Sequence, residues 1–542
     1  MQFAILLVLA VAQSGVQTAG PLAGPQDLQT LVQRRIEAAR AQGGQLRAGD
    51  RTIHARQALL SFYERRGYEP AWYGDDSGSV RRDQLLKALA GAGNHGLDPA
   101  DYGYEELRRA DRPRPSTGVV DAELLLTDAF LLYGSHLLHG RVNPESVEPE
   151  WTANRRQTDM AARLEEALTG GDVGASLDGF APRQARYRRL MRGYRDFSVR
   201  ASAPVTVVPT GPMLSHESTG ERVRLLTQRL GELGRLKPGQ MDSVYTGSVE
   251  DAVSAFQGAW GLEVDGSVGP ATLSALNTSN RELADRIRAN LERWRWLPDT
   301  LGQRHIEVNI ADYRVDVVER GRTVLTLPSI VGRDYRQTPM FSGTMRYLVL
   351  SPYWHVPAGI AARDKLPEQK KNPGYFAAQR IRMFDQSTNQ EVSPSTVDWA
   401  EMTGAELNRR FRLRQDPGPW NALGQVKFMF PNRFNVYLHD TPSRELFSRA
   451  VRTFSSGCVR VQHPLDLAEY LLSDQPTWTR SAIEAAASAG TERTVQLTSP
   501  LPVHVLYWTA WVGDDGSLVF RPDIYGRDAR IIAALTEPPP EN

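Results

Sequence analysis

Polar and apolar residues along this 542-residue chain change period twice, and the changes mark out its parts. From about Ile53 to Tyr194 the apolar positions recur every three or four residues. Leu124, Ala129, Leu132, Leu137 and Leu138 build one such face, which predicts a mainly helical domain over 51–200. Gly140, Arg141, Val142, Asn143 and Pro144 then end that helix by glycine and proline chemistry. Ahead of it, the small-residue stretch 21–50 reads as a tether with a short helix around Leu28–Ala39. Residues 201–220 are rich in Pro, Thr, Ser and Gly and read as a linker. A compact helical unit follows over 221–278. Val223, Leu226, Leu230 and Leu233 form one stripe; Val253, Phe256, Trp260 and Leu262 form another; Asp265-Gly266 makes a turn, and Pro270 opens a third helix. A connecting helix is expected within 279–303.

Beyond it the period becomes two. Ile306, Val308 and Ile310 alternate with polar residues, as do Val315 and Val317, and a strand pattern returns at 324–327, 345–350 and 426–430. Asn435–His439 reads as another strand, closed by the turn Asp440-Thr441-Pro442. Residues 503–512 and 517–520, joined by Gly513-Asp514-Asp515-Gly516, read as a hairpin. Within this β region, which runs over 304–535 before a short tail (536–542), about 355–422 is a long Pro/Gly/Lys insertion with one helical piece near 405–411. Insertions of that length are usually functional lids or disordered. The chain is therefore expected to be multidomain α+β.

A mass of 60.3 kDa is too large for one core and suits two to four domains. Hydrophobic content of 41%, charged content of 23% and a formal charge of +1 describe an ordinary globular protein. They give no reason to expect nucleic acid or an anionic membrane as partner. No apolar run reaches the roughly 18 residues needed to cross a bilayer. Phe3–Ala12 is nevertheless a ten-residue apolar stretch followed by small residues, as in a secretory leader, so residues 1–20 are expected to direct export. His136 and His139 lie three apart on the helical face but have no third ligand nearby, and a solvated or capping role is the expectation.

The candidate chemistry centres on Cys458, the one cysteine in the sequence, within Ser455-Ser456-Gly457-Cys458-Val459-Arg460. A lone cysteine excludes an intrachain disulfide and leaves a buried spectator or a nucleophile. His439, nineteen residues upstream, can take the thiol proton and return one to a leaving amine. Asp440 is next to it, but successive strand residues face opposite ways, so a backbone carbonyl is the better partner for the second ring nitrogen. Gly457 lets the backbone approach a substrate, and its N–H with that of Cys458 can hold an oxyanion. A helix beyond Pro464 is expected to lower the thiol pKa further. Arg460 is open between binding a substrate carboxylate and a structural role.

The stretch 249–277 resembles the three-helix peptidoglycan-binding module found on many cell-wall enzymes. His439-Asp440, fourteen residues, then Ser455-Ser456-Gly457-Cys458-Val459-Arg460 resembles the active-site signature of the YkuD-type L,D-transpeptidases. The usual form is His-Gly, about fourteen to seventeen residues, then Ser-His-Gly-Cys. Here Asp440 stands for the glycine and Ser456 for the second histidine, while the nucleophile, the base and the glycine before the cysteine stay in place. Those departures, with 352–357, 421–424, 437–442 and the C-terminal 507–526, are similar to the YcbB branch, which carries a helical scaffold, a peptidoglycan-binding module and a large lid.

The resemblance implies a periplasmic enzyme of the Gram-negative envelope, with no metal or cofactor. Cys458 would attack the carbonyl ahead of the terminal D-alanine of a tetrapeptide stem, His439 would protonate the departing D-alanine, and a second stem's amine would resolve the thioester into a 3→3 cross-link. Peptidoglycan stem peptides and glycan are the implied partners, with other cell-wall enzymes as further ones; a carbapenem would acylate Cys458. Tyr437, Trp354, Tyr353, Asn421, Ser456 and Arg460 are the residues expected to contact substrate, and Arg363, Lys365, Lys370 and Lys371 give the lid positive charge. Three alternatives stay open: an L,D-carboxypeptidase, a transferase to a lipoprotein lysine, and a non-catalytic wall-binding scaffold. A papain-like protease is disfavoured, because there the cysteine precedes the histidine.

Overall fold

The computed structural model describes residues 25–42, 45–109, 116–149, 151, 156–237 and 242–539; the expected leader lies outside them. The helical part is built around the 24-residue helix Ser116–His139. Leu124, Ala129, Leu132, Leu137 and Leu138 are all buried in its core, as their spacing requires. Two expectations fail here. The helix expected around Leu28–Ala39 is present as Pro25–Gln42, but the stretch is not a tether: its Leu28, Val32 and Ile36, four apart, are buried in the same core. His136 is neither solvated nor a cap: it is buried, bonded through Nδ1 to the Tyr102 hydroxyl at 3.0 Å, and burial pushes its pKa well down. Among the described residues no group of three metal-ligating side chains occurs.

The next unit has the three expected helices, Glu221–Glu232, Gly247–Trp260 and Pro270–Leu276. Its turn needs Gly266, which sits at φ 65°, where a Cβ would meet Glu250 Cγ at 2.7 Å. The segment read as a linker is not free. Val208 is buried and exchanges two 2.9 Å hydrogen bonds with the Asn277 side chain, and Leu214 bridges Val268. The connecting helix Asn280–Arg295 opens with a Ser279/Glu282 capping box and lies in a continuous core with the β domain. Trp294 stacks on Trp508 at 4.6 Å, and the buried Arg293 pairs with Asp528 at 2.6 Å.

The main sheet has nine strands, numbered here in chain order: β1 Arg304–Asn309, β2 Arg314–Glu319, β3 Arg322–Gly332, β4 Phe341–Leu350, β5 Val426–Met429, β6 Leu438–His439, β7 Thr453–Ser455, β8 Val459–Val461 and β9 Arg493–Leu506. Their order is β7-β3-β8-β6-β5-β4-β9-β1-β2, and β2 pairs back onto the long β3, so eight of them close a ring around one core. β6 is shorter than the expected Asn435–His439 strand. The first half of β9 was not anticipated, and the hairpin is confined to Ala510–Val512 and Leu518–Phe520. The insertion is folded: Trp354–His355, Ile381–Asp385, Glu391–Val392 and Phe411–Gln415 make a four-stranded sheet over its own core of Leu366, Phe376, Met383, Trp399 and Leu413.

Candidate active site

β6 and β8 are adjacent and parallel, with Leu438 opposite Val459 and His439 opposite Arg460. Leu438 and Val459 are both fully buried in the ring's core. Side chains alternate along a strand, so Tyr437, His439, Cys458 and Arg460 share the outer face. Val459 N–H donates to Tyr437 O at 3.2 Å and fixes this register one residue earlier, beside the cysteine. Cys458 and His439, nineteen residues apart in sequence, thereby line one cavity of about 480 Å³. The lid closes its other side with Trp354, Pro357, Gly359, Ile360 and Arg363.

Each reacting group is set by its surroundings. His439 is 5% exposed, and its Nδ1 lies 2.5 Å from the Asp440 carbonyl oxygen, which makes Nδ1 the protonated nitrogen and leaves Nε2 as the acceptor. Burial, and then the charge of Arg460, push its pKa down to about 3, so the ring is neutral at physiological pH. The Asp440 carboxylate turns away, accepting the Gln425 N–H at 2.8 Å and pairing with Arg444 at 3.1 Å. Gly424, at φ 59°, gives it room: a Cβ there would stand 2.3 Å from Asp440 Oδ2. Burial pushes the Cys458 thiol up; the Tyr437 amide, the Lys427 cation, the Tyr437 hydroxyl and Arg460 act in the opposite sense. Sγ lies 3.8 Å from Asn435 O.

The loop before the thiol is held by its own hydroxyl. Ser455 Oγ donates to Cys458 O at 2.5 Å and accepts the Gly457 N–H at 3.1 Å, while Thr338 Oγ1 donates to Gly457 O at 2.9 Å. Gly457 has φ 113°, a conformation that L side chains rarely adopt, so the glycine is required by the turn. Its N–H is engaged, contrary to the expected role as one of two oxyanion donors. The helix expected to act on the thiol starts at Pro464, beyond β8.

Of the other expected contacts, Tyr437, Trp354, Ser456 and Arg460 line the cavity. Tyr353 and Asn421 do not. Tyr353 lies under Arg414, whose guanidinium is 4.5 Å from its ring. Asn421 is completely buried and spends its amide on backbone, donating to Pro352 O and Asp416 O and accepting Leu423 N–H, so its role is to shape the Ala422–Leu423 wall. The Arg460 side chain has no ion pair or hydrogen bond among the described residues, which favours the substrate-facing alternative over the structural one. Of the lid cations, Arg363 lines the cavity and Lys365 stands 5.6 Å above the Trp354 ring; Lys370 and Lys371 point to Ala400 O and Glu368. Arg336, which no spacing in the sequence marks, donates to Ser456 Oγ at 3.0 Å and forms a bidentate pair with Asp364 of the lid.

Residues 303–497 match the family model described as the L,D-transpeptidase catalytic domain; 219–276 match a "Putative peptidoglycan binding domain" and 57–193 a Scaffold domain. The chain thus carries an L,D-transpeptidase catalytic domain behind a scaffold and a peptidoglycan-binding unit. Over 249 residues, 46% of this chain, it is 34% identical to a "Putative L,D-transpeptidase" of Haemophilus influenzae. The match spans about half (49%) of that relative's length. Among solved structures, the L,D-transpeptidase of Xylanimonas cellulosilytica is 19% identical, covering 55% of this chain and 99% of that one with a TM-score of 0.17. The L,D-transpeptidase of Stackebrandtia nassauensis is 12% identical, covering 56% and 97% with a TM-score of 0.21.

Proposed function

We propose that the chain is an exported peptidoglycan L,D-transpeptidase that forms 3→3 cross-links through a thioester on Cys458. The observation that carries this is the parallel β6–β8 register, which puts an acceptor imidazole and a thiol on one face of one cavity. Sγ attacks the carbonyl carbon between the third stem residue and the terminal D-alanine as His439 Nε2 takes the thiol proton. The resulting oxyanion is received at the Cys458 N–H. Collapse breaks the C–N bond, His439 returns its proton to the D-alanine amine, and a thioester remains. The acceptor amine of a second stem then attacks this thioester, its proton passes through His439, and the thiol is restored. With His439 pushed down and Cys458 pushed up, the resting pair is thiol and neutral imidazole. Proton transfer therefore accompanies attack and does not precede it.

Arg460 and Arg363 offer two cations to the stem carboxylates, with Trp354 and Tyr437 as walls. The folded lid excludes water, which would otherwise turn transfer into hydrolysis. Incubation with disaccharide-tetrapeptide tests this by mass spectrometry. The expected products are free D-alanine and a cross-linked dimer whose link joins two third-position residues, none of it with Cys458→Ala. Release of D-alanine without dimer would assign a carboxypeptidase instead, and wall binding without either product would leave a scaffold. Processing near residue 20, read by N-terminal sequencing after export, tests the leader.

A further inference from the structure

Lys427 stands on β5 directly opposite His439, and His439 is opposite Arg460 on β8. Lys427, His439 and Arg460 therefore form a row across three adjacent strands, on the face that also carries Tyr437 and Cys458. Along β5 the burial alternates: Val426 and Phe428 point into the core, and Lys427 and Met429 outward. Lys427 is half-buried, yet its ammonium makes no hydrogen bond or ion pair among the described residues. What it does have is an aromatic face, the Tyr437 ring, with Nζ 4.2 Å from the centroid. A half-buried lysine without a salt bridge is a cost the fold would avoid by an apolar residue, unless the charge serves something nearby.

We propose that Lys427 is a positioning residue for the reaction: held against the Tyr437 ring, its cation stabilises the developing Cys458 thiolate. This rests on the reading of Cys458 as the nucleophile. The two cations of the row act differently on the two groups. Lys427 is the strongest charge acting on the thiol, ahead of Arg460. On His439 the order is reversed, and Arg460 is the cation that keeps the imidazole neutral. The groups facing the thiol are Lys427, Arg460 and Tyr437; those facing Lys427 are Cys458 and Glu492, and burial lowers its own pKa. Tyr437 links the pair, since its ring seats the ammonium and lines the same cavity as the thiol.

The test reads the thiol with no substrate present. In the full-length protein, the rate of Cys458 alkylation by iodoacetamide is followed from pH 6 to 11 for wild type, Lys427→Met, Lys427→Gln and Lys427→Arg, with circular dichroism as the check on folding. Loss of the cation should move the titration midpoint up by about one unit and slow alkylation at pH 8 about tenfold. Lys427→Arg should recover most of the rate, which a merely structural defect would not allow. A Met or Gln variant that folds and titrates like wild type overturns the proposal. Turnover of tetrapeptide by Cys458→Ala would instead refute the underlying nucleophile, an outcome this alkylation assay does not confuse with the first.

Discussion

In the proposed reaction, proton traffic depends on one imidazole being kept neutral inside a charged neighbourhood. His439 donates through Nδ1 to the Asp440 carbonyl and lines the cavity, and burial with Arg460 holds its pKa down to about 3. Two consequences are measurable. His439→Ala should keep its fold and lose at least about 100-fold in turnover, in line with general-base contributions. The stability of the fold should also depend on acid through this group. The unfolded chain binds the proton near the ordinary histidine value of about 6.5 and the folded chain only near 3, so stability is full above pH 6.5 and falls as pH drops between the two. Thermal melts from pH 7 to 4 should therefore show a smaller acid loss for His439→Gln than for wild type; an equal loss would mean that the ring takes up its proton in the folded state. At this scale the sequence was most legible. A single cysteine behind a glycine, with a histidine upstream, marked the two groups, and the alternation rule correctly turned Asp440 away from the ring. Gly457 was marked for the wrong reason: its φ is what matters, and its N–H is taken by Ser455. Asn421 and Tyr353 were drawn in by neighbouring residues, since proximity in sequence to a wall says nothing about which side chain faces it.

Among the elements, the lid and the loop before Cys458 share one residue. Arg336 holds Asp364 of the lid by two hydrogen bonds and Ser456 by a third, so lid closure and the shape of the cysteine loop are fastened together. Arg336→Ala should loosen the lid with little cost to overall stability, because the pair is only partly buried. Its signature is a rise in the ratio of hydrolysis to transfer of about threefold or more, read from free tetrapeptide-derived acid against cross-linked dimer. An unchanged ratio would remove the latch. No periodicity announced this contact, because it joins a short turn at 334–336 to an insertion whose own sheet is made of two- and five-residue strands. Strands that short leave too few alternations to be read. The closed ring was legible only in part for a related reason: long strands such as β1 and β2 alternate cleanly, whereas β6 has two residues and owes its place to its neighbours' hydrogen bonds.

Across the whole molecule, the helical units join the β ring through a continuous apolar core, with buried polar and aromatic contacts set into it. Arg521 lies between them, donating to Ala259 O of the peptidoglycan-binding unit at 2.6 Å and pairing with Asp312 beside β2, while Trp260 packs on Phe520 at 5.7 Å. Removing Arg521 as alanine leaves Asp312 short of a partner in a largely buried place and should cost about 1–3 kcal/mol at this joint. Faster hydrogen exchange confined to Gly247–Trp260 and the 510–520 hairpin would show it; unchanged exchange would mean that the Trp260 contact alone suffices. The three-part layout was visible in the sequence, but the docking was not. A stretch rich in Pro, Thr and Ser reads as free linker whether or not Asn277 binds it, and residues 25–42 read as a tether until their four-residue spacing is seen against the scaffold core.

The claim everything else serves is that Cys458 accepts the acyl group. Intact-mass spectrometry of the full-length protein after exposure to a carbapenem tests it most directly. One covalent adduct, mapped to Cys458 and absent from Cys458→Ala, is the predicted result. No adduct on the folded protein, or the same adduct on Cys458→Ala, would contradict it.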